Sequence, residues 1–137
     1  MLKKTIKYVD YNDNAREDTY HFNMSKAEFI RFEMNLPGGI EKTVEKALAE
    51  NDNATLFNLF EQLVLKSYGK KTADGGFAKS TEATTEFSQT EAYSELIMEL
   101  ITDPTGKKFA EFLKGIMPKD YANEIPDNLM TITDENK

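Results

Sequence analysis

Any chemistry in this chain has to come from one histidine, its carboxylates, its hydroxyls and its lysines, because it has no cysteine. The missing thiols exclude disulfides, thiolate metal sites and thiol catalysis together, and they suit a reducing compartment. His21 lies in an alternating stretch between Tyr20 and Phe22, so it faces away from those rings and outward. A catalytic histidine needs an orienting partner and a nucleophile within reach, and the sequence around His21 offers neither. Asp10, Asn12 and Asn14 match the first, third and fifth positions of a calcium loop. The sixth position, which needs glycine for its sharp turn, is Ala15, and the twelfth is His21 instead of glutamate. The stretch reads as a hairpin turn. Gly69-Lys70-Lys71-Thr72 echoes the end of a phosphate loop, but the motif's earlier glycine position holds Val64, and a helix precedes it where a strand belongs. Glu91, Glu95 and Glu99 recur every four residues and form an acidic stripe on a helix. Like charges at this spacing cost roughly 0.2–0.5 kcal/mol per pair. The stripe is either a solvated face or a docking strip for a basic partner. Hydrolytic carboxylate pairs need a cleft and a raised pKa, and the sequence signals neither. No catalytic residue, cofactor or metal ligand is assigned.

The elements that must position these residues belong to one small domain of 137 residues, with 39% hydrophobic and 30% charged side chains. The net charge of -7 repels nucleic acid phosphates, and the densest basic spots are pairs such as Lys3-Lys4 and Lys70-Lys71. No apolar run approaches the roughly 20 residues that cross a bilayer. The start, Met1-Leu2-Lys3-Lys4, has signal-like charge without the apolar stretch that must follow it. The expectation is a cytoplasmic protein with no nucleic acid or membrane partner.

Leu2, Ile6 and Tyr8 alternate with polar residues, Asn12-Asp13-Asn14 is a turn cluster, and Tyr20, Phe22 and Met24 alternate again. This pattern predicts a β-hairpin over residues 1–24, whose apolar face must cover something helical. Ser25-Lys26-Ala27-Glu28 is a capping box opening a helix to about Asn35, which Pro37-Gly38-Gly39 breaks. Ile40, Val44, Ala47 and Leu48 mark the next helix. A third starts near Asn53, with Leu56, Leu59, Phe60, Leu63, Val64 and Ser67 on one face and Gly69 as C-cap. A polar loop follows to Ser80, where Phe77 anchors a short extended piece. A brief helix covers Thr81 to Phe87. Ser88-Gln89-Thr90-Glu91 reads as a second capping box for a helix with Ala92, Tyr93, Leu96, Ile97 and Leu100. Asp103-Pro104 reads as N-cap and first position of the last helix, striped by Phe109, Phe112, Leu113 and Ile116 and stopped by Pro118. The predicted class is α+β, mainly α: a hairpin packed on a compact bundle of about five helices. Residues 1–118 form one domain, helical over 25–118, and 119–137 form a polar, flexible and partly disordered tail.

Two helices carry more apolar residues than one buried stripe needs. On the third, Phe57, Leu65 and Tyr68 project away from Leu56, Phe60 and Leu63, with Glu61 among them. On the first, Ile30 and Met34 share a side while Phe29 and Phe32 point away from it. A helix apolar nearly all round is central in the fold or covered by a partner. Either these residues are buried internally, or Phe57, Glu61, Leu65, Tyr68, Phe29 and Phe32 form a partner-binding patch.

Three stretches carry a family likeness. They are Lys3-Lys4-Thr5-Ile6-Lys7-Tyr8-Val9-Asp10-Tyr11 followed by Phe22-Asn23-Met24-Ser25-Lys26-Ala27-Glu28; Leu65-Lys66-Ser67-Tyr68-Gly69-Lys70-Lys71 with Asp74-Gly75-Gly76-Phe77-Ala78-Lys79-Ser80; and, most specific, Phe87-Ser88-Gln89-Thr90-Glu91-Ala92-Tyr93-Ser94-Glu95-Leu96. Over about residues 1–118 the chain resembles the tail assembly chaperones of long-tailed, siphovirus-like bacteriophages, especially those of Gram-positive hosts. Lys71 and the Gly75-Gly76 pair depart from the family pattern, in a loop. The resemblance implies a protein that coats the tape measure protein, keeps its hydrophobic helices soluble, helps recruit tail tube subunits, and leaves before the tail is finished. It implies action in the host cytoplasm and absence from the mature virion. Many such proteins also have a longer, frameshifted product, and the tail after Pro118 is a natural junction. The family brings no catalytic residues. Self-association is compatible with the residues. Two other readings stand beside this one: a structural tail or head–tail connector subunit, and an acidic inhibitor that mimics nucleic acid.

Overall fold

The computed structural model describes residues 1–122. Strands β1 (Leu2–Val9) and β2 (Ala15–Phe22) pair antiparallel, in register from Leu2 opposite Phe22 to Val9 opposite Ala15. The turn between them is closed by Asp10, whose Oδ1 accepts from the amides of Asn12 and Asn14, both at 2.9 Å. Alternation does what the sequence predicts: Ile6 and Phe22 are buried, while Lys3, Thr5 and Lys7 face solvent. The sheet is wider than the predicted hairpin. Strand β3 (Tyr68–Lys71) adds to β2, and β4 (Phe77–Ala78) adds to β3, giving the order β1-β2-β3-β4. The predicted extended piece at Phe77 is thus the fourth strand. Gly69, expected as a helix C-cap, lies inside β3, and Tyr68 is the cap. A Cβ at Gly69 would sit 2.6 Å from the Phe77 ring, so glycine here serves close packing between neighbouring strands.

Among the described residues there are seven helices: α1 (Lys26–Met34), α2 (Gly39–Ala49), α3 (Asn53–Ser67), α4 (Thr81–Ser88), α5 (Glu91–Ile101), α6 (Lys107–Ile116) and α7 (Lys119–Ala122). The class is α+β and mainly α. The core-facing stripe of α3 is buried residue for residue as predicted, Leu56, Leu59, Phe60, Leu63, Val64 and Ser67. Phe60 meets Phe109 of α6 at 4.2 Å between ring centroids, joining the two helices at the centre of the core. Two amides fix the end of the hairpin against the helices: Asn23 N–H donates to the Ser67 carbonyl and Met24 N–H to that of Ile116, both at 2.8 Å. At the other end, Lys119–Ala122, expected as the start of a tail, form α7. There Asp120 pairs with Lys26 at 2.8 Å, and Tyr121 stacks on Phe29 at 5.3 Å. The tail expected over residues 123–137 lies outside the described residues.

The capping box at Ser25 forms as predicted, with Glu28 N–H donating to Ser25 Oγ and Ser25 N–H to Glu28 Oε1. Two other predicted starts move. Ser88 belongs to α4, where its hydroxyl donates to the Thr85 carbonyl; Thr90 caps α5 by accepting from Tyr93 N–H. Two hydroxyl residues in succession made the earlier one look like the cap, but the chain is still helical at Ser88. The last long helix starts at Lys107, not at Pro104, because Gly106 takes a left-handed conformation at φ 70°. Asp103 still serves that helix, accepting from Lys108 N–H at 2.9 Å.

The largest correction concerns α1. Its core side is Phe29 and Phe32, each 6% exposed, while Ile30 and Met34 are exposed. Two stripes compete on this short helix, and burying two phenyl rings removes more apolar area from water than burying Ile and Met. The turn after α1 is then fixed by Glu33. It accepts from Ile40 N–H at 2.9 Å and so caps α2, whose N-cap, Gly38, has no side chain to do this. A Cβ on Gly39, at φ 82°, would collide with that carboxylate.

Lys79 ties three distant pieces together. Its ammonium donates to the Asn23 carbonyl at 2.7 Å, the Lys66 carbonyl at 2.8 Å and Glu28 Oε2 at 2.7 Å. Burial raises the Glu28 pKa, but the hydrogen bonds from Lys79 and Ser25 outweigh it, and the net shift is downward. A depressed folded-state pKa stabilises the fold above the ordinary glutamate value, and that stability is lost as pH falls through the depressed one. Lys79→Met leaves two carbonyls and a carboxylate short of a partner. It should cost about 1–3 kcal/mol at neutral pH and flatten the acid limb of stability against pH, as urea titrations across that range would measure.

Candidate partner-binding surface

Residues at spacings of four on a helix share a face, and α3 presents Phe57, Glu61 and Leu65 in this way. Phe57 is 41% exposed, and Glu61 and Leu65 are half-buried. Glu61 is held by the Tyr93 hydroxyl, which donates to Oε2 at 2.5 Å. Burial, together with that bond and the Glu61 charge, pushes the Tyr93 phenol above its ordinary pKa, so it stays a donor. The strip therefore has an apolar end, a fixed carboxylate and a second apolar side chain. Leu65 borders a shallow hollow shared with Lys79, Thr81 and Thr84.

The other three nominated residues are not on this surface. Tyr68 is 7% exposed and stacks on Phe87 at 4.4 Å. Phe29 and Phe32 fill the core side of α1. In their place the structure exposes Ile30 and Met34, 45% and 80% accessible, which the sequence analysis leaves out of the candidate patch. The competing stripe of Phe29 and Phe32 was the available signal, since larger rings gain more from burial.

The residues weighed for chemistry fall apart in space. His21 is half-buried in β2, opposite Lys3 on one side and Gly69 on the other. Burial, then the charges of Lys71 and Lys3, lower its pKa and favour the neutral ring. Gly69 to Lys71 are strand and not a phosphate loop. Of the acidic stripe, Glu99 pairs with Lys4 at 3.2 Å, and Glu91 lies beside the Tyr11 hydroxyl and helps raise its pKa after the larger effect of burial. Among the described residues no group of His, Asp and Glu is arranged to hold a metal ion, and no helix is long and apolar enough to cross a membrane.

Comparison with known families shows what kind of protein this is. The model of the phage tail assembly chaperones matches residues 1–136. This chain belongs to the phage tail assembly chaperones. Neither the curated proteins nor the solved structures gave a match. In this tail assembly chaperone the fold leaves the α3 strip and the side of α1 that carries Ile30 and Met34 partly uncovered.

Proposed function

We propose that this chaperone binds the tape measure protein, keeps its hydrophobic helices soluble and helps recruit tail tube subunits, working in the host cytoplasm and leaving before the virion is complete. The observation that carries the reading is the family match over residues 1–136. The surface chemistry supports it. A holder of apolar helices needs uncovered apolar side chains, which Phe57 and Leu65 supply beside Glu61. It must also stay soluble when loaded, and a net charge of -7 keeps loaded complexes apart.

The experiment is a comparison of infected-cell lysate with purified mature virions by quantitative mass spectrometry. The chaperone should be abundant in the lysate, co-purify there with the tape measure protein, and be absent from the virions. A stoichiometric amount in virions would make it a structural tail or connector subunit instead.

A further inference from the structure

A second surface lies away from the α3 strip, where α1, the start of α2 and α7 meet. Ile30, Met34, Met117 and Tyr121 are among the residues that line it, and the hollow measures about 390 Å³. Ile30 is 45% and Met34 80% exposed, and four residues apart on α1 they form one uncovered apolar patch. The exposed thioether of Met34 can adapt to irregular apolar surfaces.

The rim is acidic. Glu33 and Glu41 border the hollow, and among the described residues neither is paired with a cation. No cation lines the hollow, and Lys26 of α1 and Lys42 of α2 are engaged elsewhere, with Asp120 at 2.8 Å and Glu45 at 3.4 Å. Glu33 accepts from Ile40 N–H, but that bond leaves its charge in place. Apolar lining residues beside two carboxylates without ion-pair partners favour an apolar edge bordered by cations. A second copy of a chain with net charge -7 fits such a rim poorly.

We propose that this hollow is a docking site for an amphipathic partner helix whose apolar edge is flanked by Lys or Arg; the proposal rests on the chaperone reading above and adds where, and to what charge pattern, the partner binds. Aliphatic side chains of the helix seat against Ile30 and Met34, and its cations reach Glu33 and Glu41.

The full-length chain should be titrated with a synthetic amphipathic helix bearing Leu on one face and Lys on the other, and with a matched peptide bearing Glu in place of Lys. The Lys peptide should bind at least about tenfold tighter than the Glu peptide. Combining Ile30→Asp with Met34→Asp should weaken it at least about tenfold, with unchanged circular dichroism and melting because both side chains are exposed. Glu41→Lys, a milder surface change, should shift preference toward the Glu peptide. Equal affinity of wild type and the double variant, no preference between the peptides, or a change in sedimentation state caused by the double variant, which would make a second copy the occupant, each overturns the docking site. Co-expression with the tape measure protein separates the two ideas. If that protein stays insoluble beside the wild-type chain, the chaperone reading fails whatever the peptides do. If wild type and double variant solubilise it equally, the docking site alone fails.

Discussion

Replacing Phe57 and Leu65 together by Asp should abolish co-purification with the tape measure protein while leaving a folded chaperone. Full burial of such a side chain is worth about 1.5–3 kcal/mol, but Phe57 is 41% exposed and Leu65 already partly buried, so the lost apolar contact alone weakens binding by roughly tenfold and the cost of burying two Asp charges adds to it. Asp in their place also puts new charges beside Glu61, which Tyr93 holds in position. Phe57→Asp is the cleaner single change, because Phe57 is 41% exposed. Leu65 is partly buried against the core and costs some stability when replaced. Pull-down from co-expressing cells, with melting curves of each variant, measures both effects. Undiminished binding by a folded double variant would place the contact elsewhere.

Phe22→Ala should cost about 3–5 kcal/mol of folding stability, a large fraction of what a domain this size possesses. Phe22 is 0% exposed. Its ring meets Phe112 edge-on at 5.4 Å, Phe87 at 5.8 Å and Tyr68 at 5.9 Å. It therefore joins the hairpin to α4, α6 and β3 at one point. Truncation leaves a cavity that three elements cannot all collapse into. Urea unfolding should show a lower midpoint. A loss below about 1 kcal/mol would mean that the sheet and helices do not share one cooperative core.

The contrast between α3 and α1 shows what the sequence makes legible. In α3 the buried positions repeat over four turns, and no competing stripe of comparable size exists, so every buried residue was readable. In α1 the choice between Phe29 with Phe32 and Ile30 with Met34 depends on neighbours far along the chain, among them Tyr121, which stacks on Phe29. Periodicity has no access to such contacts. The same holds for β3 and β4. Both are short, and what makes Tyr68 to Lys71 a strand is the unpaired edge of β2 beside them. The Ser25 box was readable because both halves of the reciprocal bond lie within four residues. The Thr90 and Gly106 starts were not, since they depend on where the preceding segment stops being helical. For the candidate surface, Phe57, Glu61 and Leu65 could be found from α3 alone, whereas Met34 needed the rotation of α1 to be known.

The central claim is that this chain keeps a hydrophobic tape measure protein in solution. Its most direct measurement is the soluble fraction of the tape measure protein of the same phage, expressed with and without the chaperone. A chaperone of this kind should move that protein from the pellet into a soluble complex containing both chains. An equally insoluble tape measure protein in both cases would contradict the claim.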